Sequence, residues 1–394
     1  MSKETFVWHP DEDDVYDGDV YGDTRLDDRP CSAFRKGVGK SFTMIGDGIL
    51  TLAPIPQDID VFVDWGATPG PWIDNPAVTR IAINSGTLKL VCGELEPTAV
   101  AVLGLGTEDA VTEVDITGTF IVRDINVAGS VVPSERPGST INVYPNGTFL
   151  VGWENSTLVT NFGGAFNINV HDLGSMSVTA SFVDLPGGTY VIGGPSTAAN
   201  SSLEIAALPA AKLQGSPTSG DGGNRDGAFL IANHRISCRS ASVSRLRAIS
   251  MSCTSTHIKV EDTASLSIAC NSIAFDGAIV PNGSAAFETG TIFAAGQGSA
   301  AITFTGSRDG PAPFDFKNTA TQYPKGLFNF ITKEGANRSK FRFLGIGSAF
   351  DFAGMLQKGL IAVDGMPDDG SKTAWRMESG GEGPSKSYFT VYLK

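Results

Sequence analysis

Charge is scarce in this chain, and so are the signatures of most chemistries. Charged residues are 18% of the 394, below the usual quarter. Acidic residues outnumber basic ones 42 to 29, for a net charge of −13. A surface of that sign does not neutralise phosphates, so no nucleic-acid partner is expected. No stretch reaches the length of about 18 consecutive apolar residues that a membrane-spanning helix needs, so no membrane insertion is expected. Residues 1–14 lack a basic start, an apolar core and a small-residue cleavage site, so export by a signal peptide is not expected. Long helical runs of Glu, Lys, Arg and Leu are almost absent.

Catalytic signatures are equally thin. The four histidines (His9, His171, His234, His257) are scattered without metal-ligand spacing or an HExxH pattern. No Gly-x-Ser-x-Gly elbow occurs, and nucleophilic catalysis finds no support. Phe34-Arg35-Lys36-Gly37-Val38-Gly39-Lys40-Ser41 ends like a phosphate-binding loop, but the first glycine of that pattern is replaced by Phe34. It reads as a basic turn.

What the chain has is glycine, 47 residues of it, and one recurring phrase. Gly followed by Ser or Thr and then an alternating apolar run appears at Gly86-Thr87-Leu88-Lys89-Leu90, Gly147-Thr148-Phe149-Leu150-Val151, Gly174-Ser175-Met176-Ser177-Val178 and Gly298-Ser299-Ala300-Ala301-Ile302. Looser copies start at Thr263 and Gly283. Each copy reads as a turn residue with access to positive φ, then a short strand with one buried face. Many similar short strands at intervals of roughly 15 to 30 residues predict a mainly β fold, a parallel β-helix or solenoid. In its most regular part, Val243, Leu246, Ile249, Ile258, Val260, Leu266, Ile268, Ile273 and Phe275 are expected to face inward.

Four segments follow. Residues 1–40 form an acidic N-terminal arm, residues 41–80 a Pro-rich lead-in or cap, residues 81–322 the solenoid and residues 323–394 a small α+β C-terminal cap. Gln214 to Gly227, rich in Gly, Ser and Asp, reads as a protruding loop or junction. In the cap, Ser348 to Asp351 matches a capping box before a helical stripe at Phe352, Met355 and Leu356, with a stop at Gly359. Asp364-Gly365 predicts a tight turn after the strand Leu360 to Val363. The odd set of five cysteines (Cys31, Cys92, Cys238, Cys253, Cys270) lacks metal or redox spacing. Cys238, Cys253 and Cys270 are spaced close to one solenoid turn and are expected to stack as buried thiols on successive coils. Reduced thiols suit folding inside a cell.

The glycine phrases, and the closing string from Phe328-Asn329-Phe330 through Gly359-Leu360-Ile361-Ala362-Val363-Asp364-Gly365 to Phe389-Thr390-Val391-Tyr392-Leu393, resemble β-helical repeat proteins of surfaces and virions. These include autotransporter-type passengers and phage β-helix proteins. Neither a secretion signal nor a C-terminal membrane β-barrel is expected from these residues, unlike in the exported members. The resemblance implies a non-enzymatic structural protein: a rigid homo-oligomeric rod, trimeric by analogy, in a virion as fibre, tail or capsid decoration. Its partners would be other structural proteins of the particle or surface layer. A cell-surface or extracellular adhesin or filament subunit is the alternative, and a polysaccharide-degrading enzyme on a β-helix the rival of another class. Such enzymes use two or three carboxylates on adjacent coils; the candidates are Asp172, Asp184, Glu204, Glu261, Asp262, Asp276 and Glu288, without the Asn-Thr-Asp or Gly-His-Gly strings of polygalacturonase-like enzymes.

Two charge patterns remain. Asp17, Asp19, Tyr21, Gly22, Asp23 and Asp28 fall at positions one, three, five, six, seven and twelve of an EF-hand-like loop. Asp17, Asp19, Asp23 and Asp28 are therefore candidate calcium ligands, although Tyr21 and Asp28 replace the usual residues and no flanking helices are evident. No other cofactor is implied. Basic residues concentrate at Arg225, Arg235, Arg239, Arg245, Arg247 and Lys259. The acidic arm, with Asp11, Glu12, Asp13 and Asp14, is expected to lie on the coils of a neighbouring subunit that carry Arg235, Arg239, Arg245 and Arg247. Asn-x-Ser/Thr matches at Asn146, Asn155, Asn200, Asn282 and Asn337 are expected by chance in such a composition.

Overall fold

The computed structural model describes residues 4–27, 29–54, 61–65, 78–91, 101–106, 111–129, 138–152, 161–195, 200–208, 227–275, 291–306, 313–318, 323–371, 373–381 and 387–394. Two compact units divide the chain. The first comprises Met1–Gly188 with Ala207–Asp226, the second Thr189–Ala206 with Gly227–Lys394. Each is a parallel β-helix, as the repeated phrase predicts.

In the first unit the chain winds repeatedly through three parallel ladders. Face A stacks Asp14–Asp17, Ser41–Ile45, Val78–Ile83, Val111–Ile116, Thr140–Val143 and Asn167–Val170. Face B stacks Thr24–Leu26, Ile49–Leu52, Thr87–Val91, Thr119–Arg123, Thr148–Val151 and Ser175–Ala180. Face C stacks Val61–Trp65, Ala101–Leu105, Asn126–Gly129, Asn161–Gly163 and Phe182–Leu185. The second unit repeats the plan. Its face A holds His234–Cys238, His257–Asp262, Ile292–Gly298, Phe328–Phe330 and Ile361–Val363. Face B holds Ser202–Ala207, Val243–Arg247, Ser265–Ala269, Ala301–Thr305 and Lys340–Leu344, and face C Ala228–Ala232, Ser250–Thr254 and Ser272–Phe275.

The alternating pattern of each strand sends every second side chain inward. Because the ladders are in register, inward residues form columns. Phe42, Ile81, Val114, Ile141 and Ile168 follow one another on face A. Leu50, Leu88, Phe120, Phe149 and Met176 do so on face B. All are essentially buried, and each contributes roughly 1.5 to 3 kcal/mol relative to exposure. Coil length varies widely: Ser240 bonds across one coil boundary to Asp262, 22 residues on, and across the other to Gly194, 46 residues back.

The small residue of the repeated phrase has a specific reason. It stands where face A turns into face B, and its carbonyl accepts the first face-B N–H of the next coil. Thr87 N–H donates to Gly48 O (3.1 Å), Thr119 to Gly86 (2.9 Å), Thr148 to Gly118 (2.9 Å) and Ser175 to Gly147 (3.0 Å). In the second unit Ser201, Ser242, Ala264 and Ala300 accept from Val243, Ser265, Ala301 and Lys340. Positive φ occurs at Gly86 (+68°) but not at Gly118, Gly147 or Gly174. The requirement is therefore close approach rather than conformation: a Cβ on Gly147 would lie 2.1 Å from the Ile116 carbonyl oxygen. In the copy beginning at Gly298 the corner falls two residues later, on Ala300. The copy beginning at Gly283 lies outside the described residues.

Several expectations need correction. Residues 14–17 and 24–26 of the predicted arm are the first coil, and 41–45, 49–52 and 61–65 of the predicted lead-in belong to the second. At the far end, 328–330, 340–344 and 361–363 still pair in parallel, so the stack runs on through much of the predicted cap. It ends where 388–393 lies antiparallel on 340–344 and 375–380 lies antiparallel on 388–393. The helix Phe352–Gln357 is capped by Asp351, whose carboxylate accepts the Gly354 N–H at 3.0 Å; Ser348 belongs to the preceding 3-10 turn. The Asp364-Gly365 turn is present, both residues at positive φ (50° and 81°), between 361–363 and 366–367. Val243 and Ile249 are exposed (37% and 41%): the strand 243–247 turns Ser244 and Leu246 inward instead. Ile273 and Phe275 are half-buried, and the other five inward residues are buried. The predicted loop from Gln214 lies outside the described residues up to Gly227.

Candidate assembly surfaces

The acidic N-terminal residues are held by their own unit. Lys36 is fully buried, and its ammonium donates to the His9 carbonyl (2.9 Å), the Glu12 carbonyl (3.0 Å) and the Asp14 carboxylate (2.7 Å). Those three acceptors match its three protons. It also lies 4.5 Å above the Trp8 ring. Burial pulls its pKa down, against the pull of Asp14. Asp14 in turn accepts the His9 N–H (2.9 Å) and sits 2.8 Å from the His9 ring Nδ1. Thus Lys36, expected on a basic turn, pins residues 8–14 to the coil stack. Arg35 reaches Asp11 at 2.9 Å. Asp13 accepts the Ser41 N–H (2.7 Å) and hydroxyl (2.9 Å), which hold its carboxyl below the usual range. The Glu12 side chain is exposed.

The calcium candidates do different jobs. Asp17 accepts the Asp19 N–H at 2.9 Å and caps the single turn Gly18–Tyr21. Asp23 accepts the Ile49 N–H of the next coil at 3.0 Å. Asp19 is exposed, and Asp28 lies outside the described residues. Tyr21, the odd residue at position five, packs against Phe6 and Tyr16. Among the described residues no three of His, Cys, Asp and Glu form a metal-holding group.

The arginines divide between two faces. Arg245 and Arg247 project from face B and share Glu204, at 4.0 and 3.5 Å. Arg235 lies exposed on face A, and Arg239 closes that strand with its Nε donating to the Gly193 carbonyl at 2.9 Å. Lys259, also on face A, bridges Glu261 (2.7 Å) and Glu334 (2.8 Å); burial alone would lower its pKa, but the two carboxylates raise it. Arg225 lies outside the described residues.

Other candidate carboxylates are dispersed. Asp184 lies on face C of the first unit, Asp172 in the turn after a face-A strand, and Asp276 and Glu288 outside the described residues. Glu261 and Asp262 are adjacent, but one turns to Lys259 and the other accepts the Ser240 N–H at 2.9 Å. The histidines likewise have structural surroundings: His171 stacks on Tyr144 (4.8 Å between ring centres, planes 3° apart) and His234 meets Tyr190 edge-on at 4.3 Å. Asn337 donates to the Ala295 and Ile331 carbonyls, both at 2.8 Å, and accepts from Ser339, so its side chain braces a coil boundary. Asn155 and Asn282 are outside the described residues.

The cysteines correct one expectation. Cys238, Cys253 and Cys270 are free and buried, but they do not stack. Cys238 ends a face-A strand, Cys253 lies on face C of the same coil, and Cys270 follows a face-B strand of the next. One coil there takes 22 residues, so a step of 15 or 17 leads to another face. Burial raises the Cys238 thiol to about 11 and Cys270 to about 12, and pushes Cys253 up as well.

Sequence reasoning missed a polar ladder on the outside of face A. Asn142 donates to Asp115 at 2.8 Å, and Asn169 donates to Asn142 at 2.8 Å, each step 27 residues. Its signal was legible: Asp115-Ile116, Asn142-Val143 and Asn169-Val170 stand just before Gly118, Gly147 and Gly174. Beside it lies Tyr144, whose phenol is pushed up by burial and by the Asp115 and Glu113 carboxylates. Across all these places, outward polar side chains chiefly tie one coil to the next. No family model, curated protein or solved structure matches the chain.

Proposed function

We propose that the chain is a non-enzymatic structural protein whose coils serve as a stiff β-helical rod in a homo-oligomeric assembly, as a fibre, tail or capsid-decorating part of a virion. One observation carries this reading: outward carboxylates in both units tie one coil to the next. Asp23, Asp262 and Asp364 accept backbone N–H groups from neighbouring coils, Asp115 anchors the polar ladder, and Glu204 joins two coils through Arg245 and Arg247. A hydrolase would instead keep two carboxyl groups facing one substrate, roughly 5 to 10 Å apart. Parallel ladders bonded above and below resist local opening and proteolysis, which suits a particle exposed to its surroundings.

Co-purification tests it. Antibody against the chain should label intact particles made by the producing cells, and the protein should co-sediment with them through a density gradient. Labelling confined to cell surfaces would favour an adhesin or filament subunit, and cleavage of polysaccharide by the purified chain would favour an enzyme.

A further inference from the structure

The second unit ends on a strand whose outer edge has no neighbouring strand among the described residues. Trp375–Gly380 pairs through one edge only, antiparallel to Tyr388–Leu393, with Trp375 opposite Leu393 and Met377 opposite Val391. Five of its six residues are exposed, Met377 to 47%. An open edge of this kind is a template for another strand unless it is shortened, bulged, charged or interrupted by proline. Of those devices the strand carries only the opposite charges of Arg376 and Glu378, which complement a second antiparallel copy.

Hydrogen-bond phase and charge select one partner. The Lys394 N–H donates to the Ala374 carbonyl at 2.9 Å. Antiparallel bonding alternates along a strand, so Arg376, Glu378 and Gly380 turn their backbone groups inward to 388–393. Trp375, Met377 and Ser379 turn theirs to the open edge. Two copies meeting antiparallel about a two-fold axis keep this phase when the axis passes opposite Arg376, Met377 or Glu378. An axis at Arg376 opposes two arginines, and one at Glu378 opposes two glutamates. An axis at Met377 sets each Arg376 opposite the other copy's Glu378, and Met377 opposite Met377. Within one chain these residues already lie close: Arg376 is 3.6 Å from Glu378, and Tyr392 donates to Glu378 at 2.6 Å. The charges therefore stand ready on one side of the strand.

We propose that Trp375–Gly380 is a self-association edge, pairing antiparallel with the same strand of a second copy about a two-fold axis at Met377. It rests on the structural reading above only for the idea that the chain assembles with itself. Sedimentation velocity of the full chain over a concentration series tests it, with circular dichroism and thermal unfolding to verify the fold of each variant. Met377→Pro removes an N–H that points to the open edge and spares the bonds to 388–393, so it should abolish dimers while leaving unfolding unchanged. Arg376→Glu and Glu378→Arg each oppose like charges twice across the axis, and each should weaken the dimer about tenfold; the double swap should restore it. A wild-type chain that stays monomeric, or dimers indifferent to all these changes, would overturn the proposal. Should Met377→Pro leave the dimers intact while the chain still joins particles, the edge pairing fails and the structural reading stands. Should wild-type dimers form but never associate with particles, the reverse holds.

Discussion

The Lys36 ammonium lies 2.7 Å from the Asp14 carboxylate in the buried start of the first unit, where neither group meets solvent to any extent. Each is the other's charge compensation in a low-dielectric setting, so removing one strands the other. Lys36→Met should therefore destabilise the fold by about 3 kcal/mol or more, read as a lower denaturation midpoint. Replacing the pair together, as Lys36→Met with Asp14→Asn, should recover part of that loss. The same lysine sets a pH dependence. Its folded pKa is below its unfolded one, so folding releases protons in the window between the two values. Its contribution to stability rises with pH through that window and levels off above the unfolded pKa near 10.5. Lys36→Met should remove that rise in urea titrations at alkaline pH.

The corner positions of the two units offer two changes of opposite sign. Gly147→Ala sets a methyl 2.1 Å from the Ile116 carbonyl oxygen, which only a backbone shift can relieve, so a loss of about 2 to 4 kcal/mol is expected. Ser242 occupies the equivalent corner of the second unit, with a buried hydroxyl that has no hydrogen-bond partner among the described residues. Ser242→Ala should be neutral or stabilise by up to about 1 kcal/mol. Thermal denaturation of both variants checks the pair.

Asp364 closes the last tight turn and holds the preceding coil. It accepts the Thr332 N–H (2.8 Å), the Thr332 hydroxyl (2.5 Å) and the Lys333 N–H (3.2 Å). Burial would raise its carboxyl, but these bonds and the Lys333 charge bring it below the ordinary value of 3.8. A depressed carboxyl contributes stability that is full above its unfolded pKa and is lost as pH falls through the folded one. Asp364→Asn keeps the residue's tolerance for positive φ and should cost about 1 kcal/mol at neutral pH. That difference should vanish in acid, below the folded pKa, in denaturation curves taken against pH.

Cys238, Cys253 and Cys270 should resist alkylation in the native protein at pH 8, since burial holds all three as thiols. Peptide mapping after pulse labelling should find them modified only once denaturant is added.

Much of the fold was legible because a coil repeats its constraints. Leu88, Met176 and Leu266 alternate with polar residues visibly, and the small residue before each strand recurs because a neighbouring backbone crowds it. Coil length was not legible. A loop can lengthen between strands without disturbing register, so the cysteine spacing of 15 and 17 residues was assigned to a whole turn when it steps between faces. The acidic start was harder still. Asp11, Asp13, Asp14 and Asp23 look like a solvated arm in sequence, and their partners Arg35, Ser41, Lys36 and Ile49 become visible only once the coils are stacked. Arg245 and Arg247 kept their proximity because they share one strand, whereas Arg235 and Arg239 turn to another face.

Mass photometry with negative-stain imaging of the purified full chain is the most direct test of the scaffold function. Elongated particles containing two or more chains are expected. A compact single chain, unchanged in size at every concentration, would contradict it.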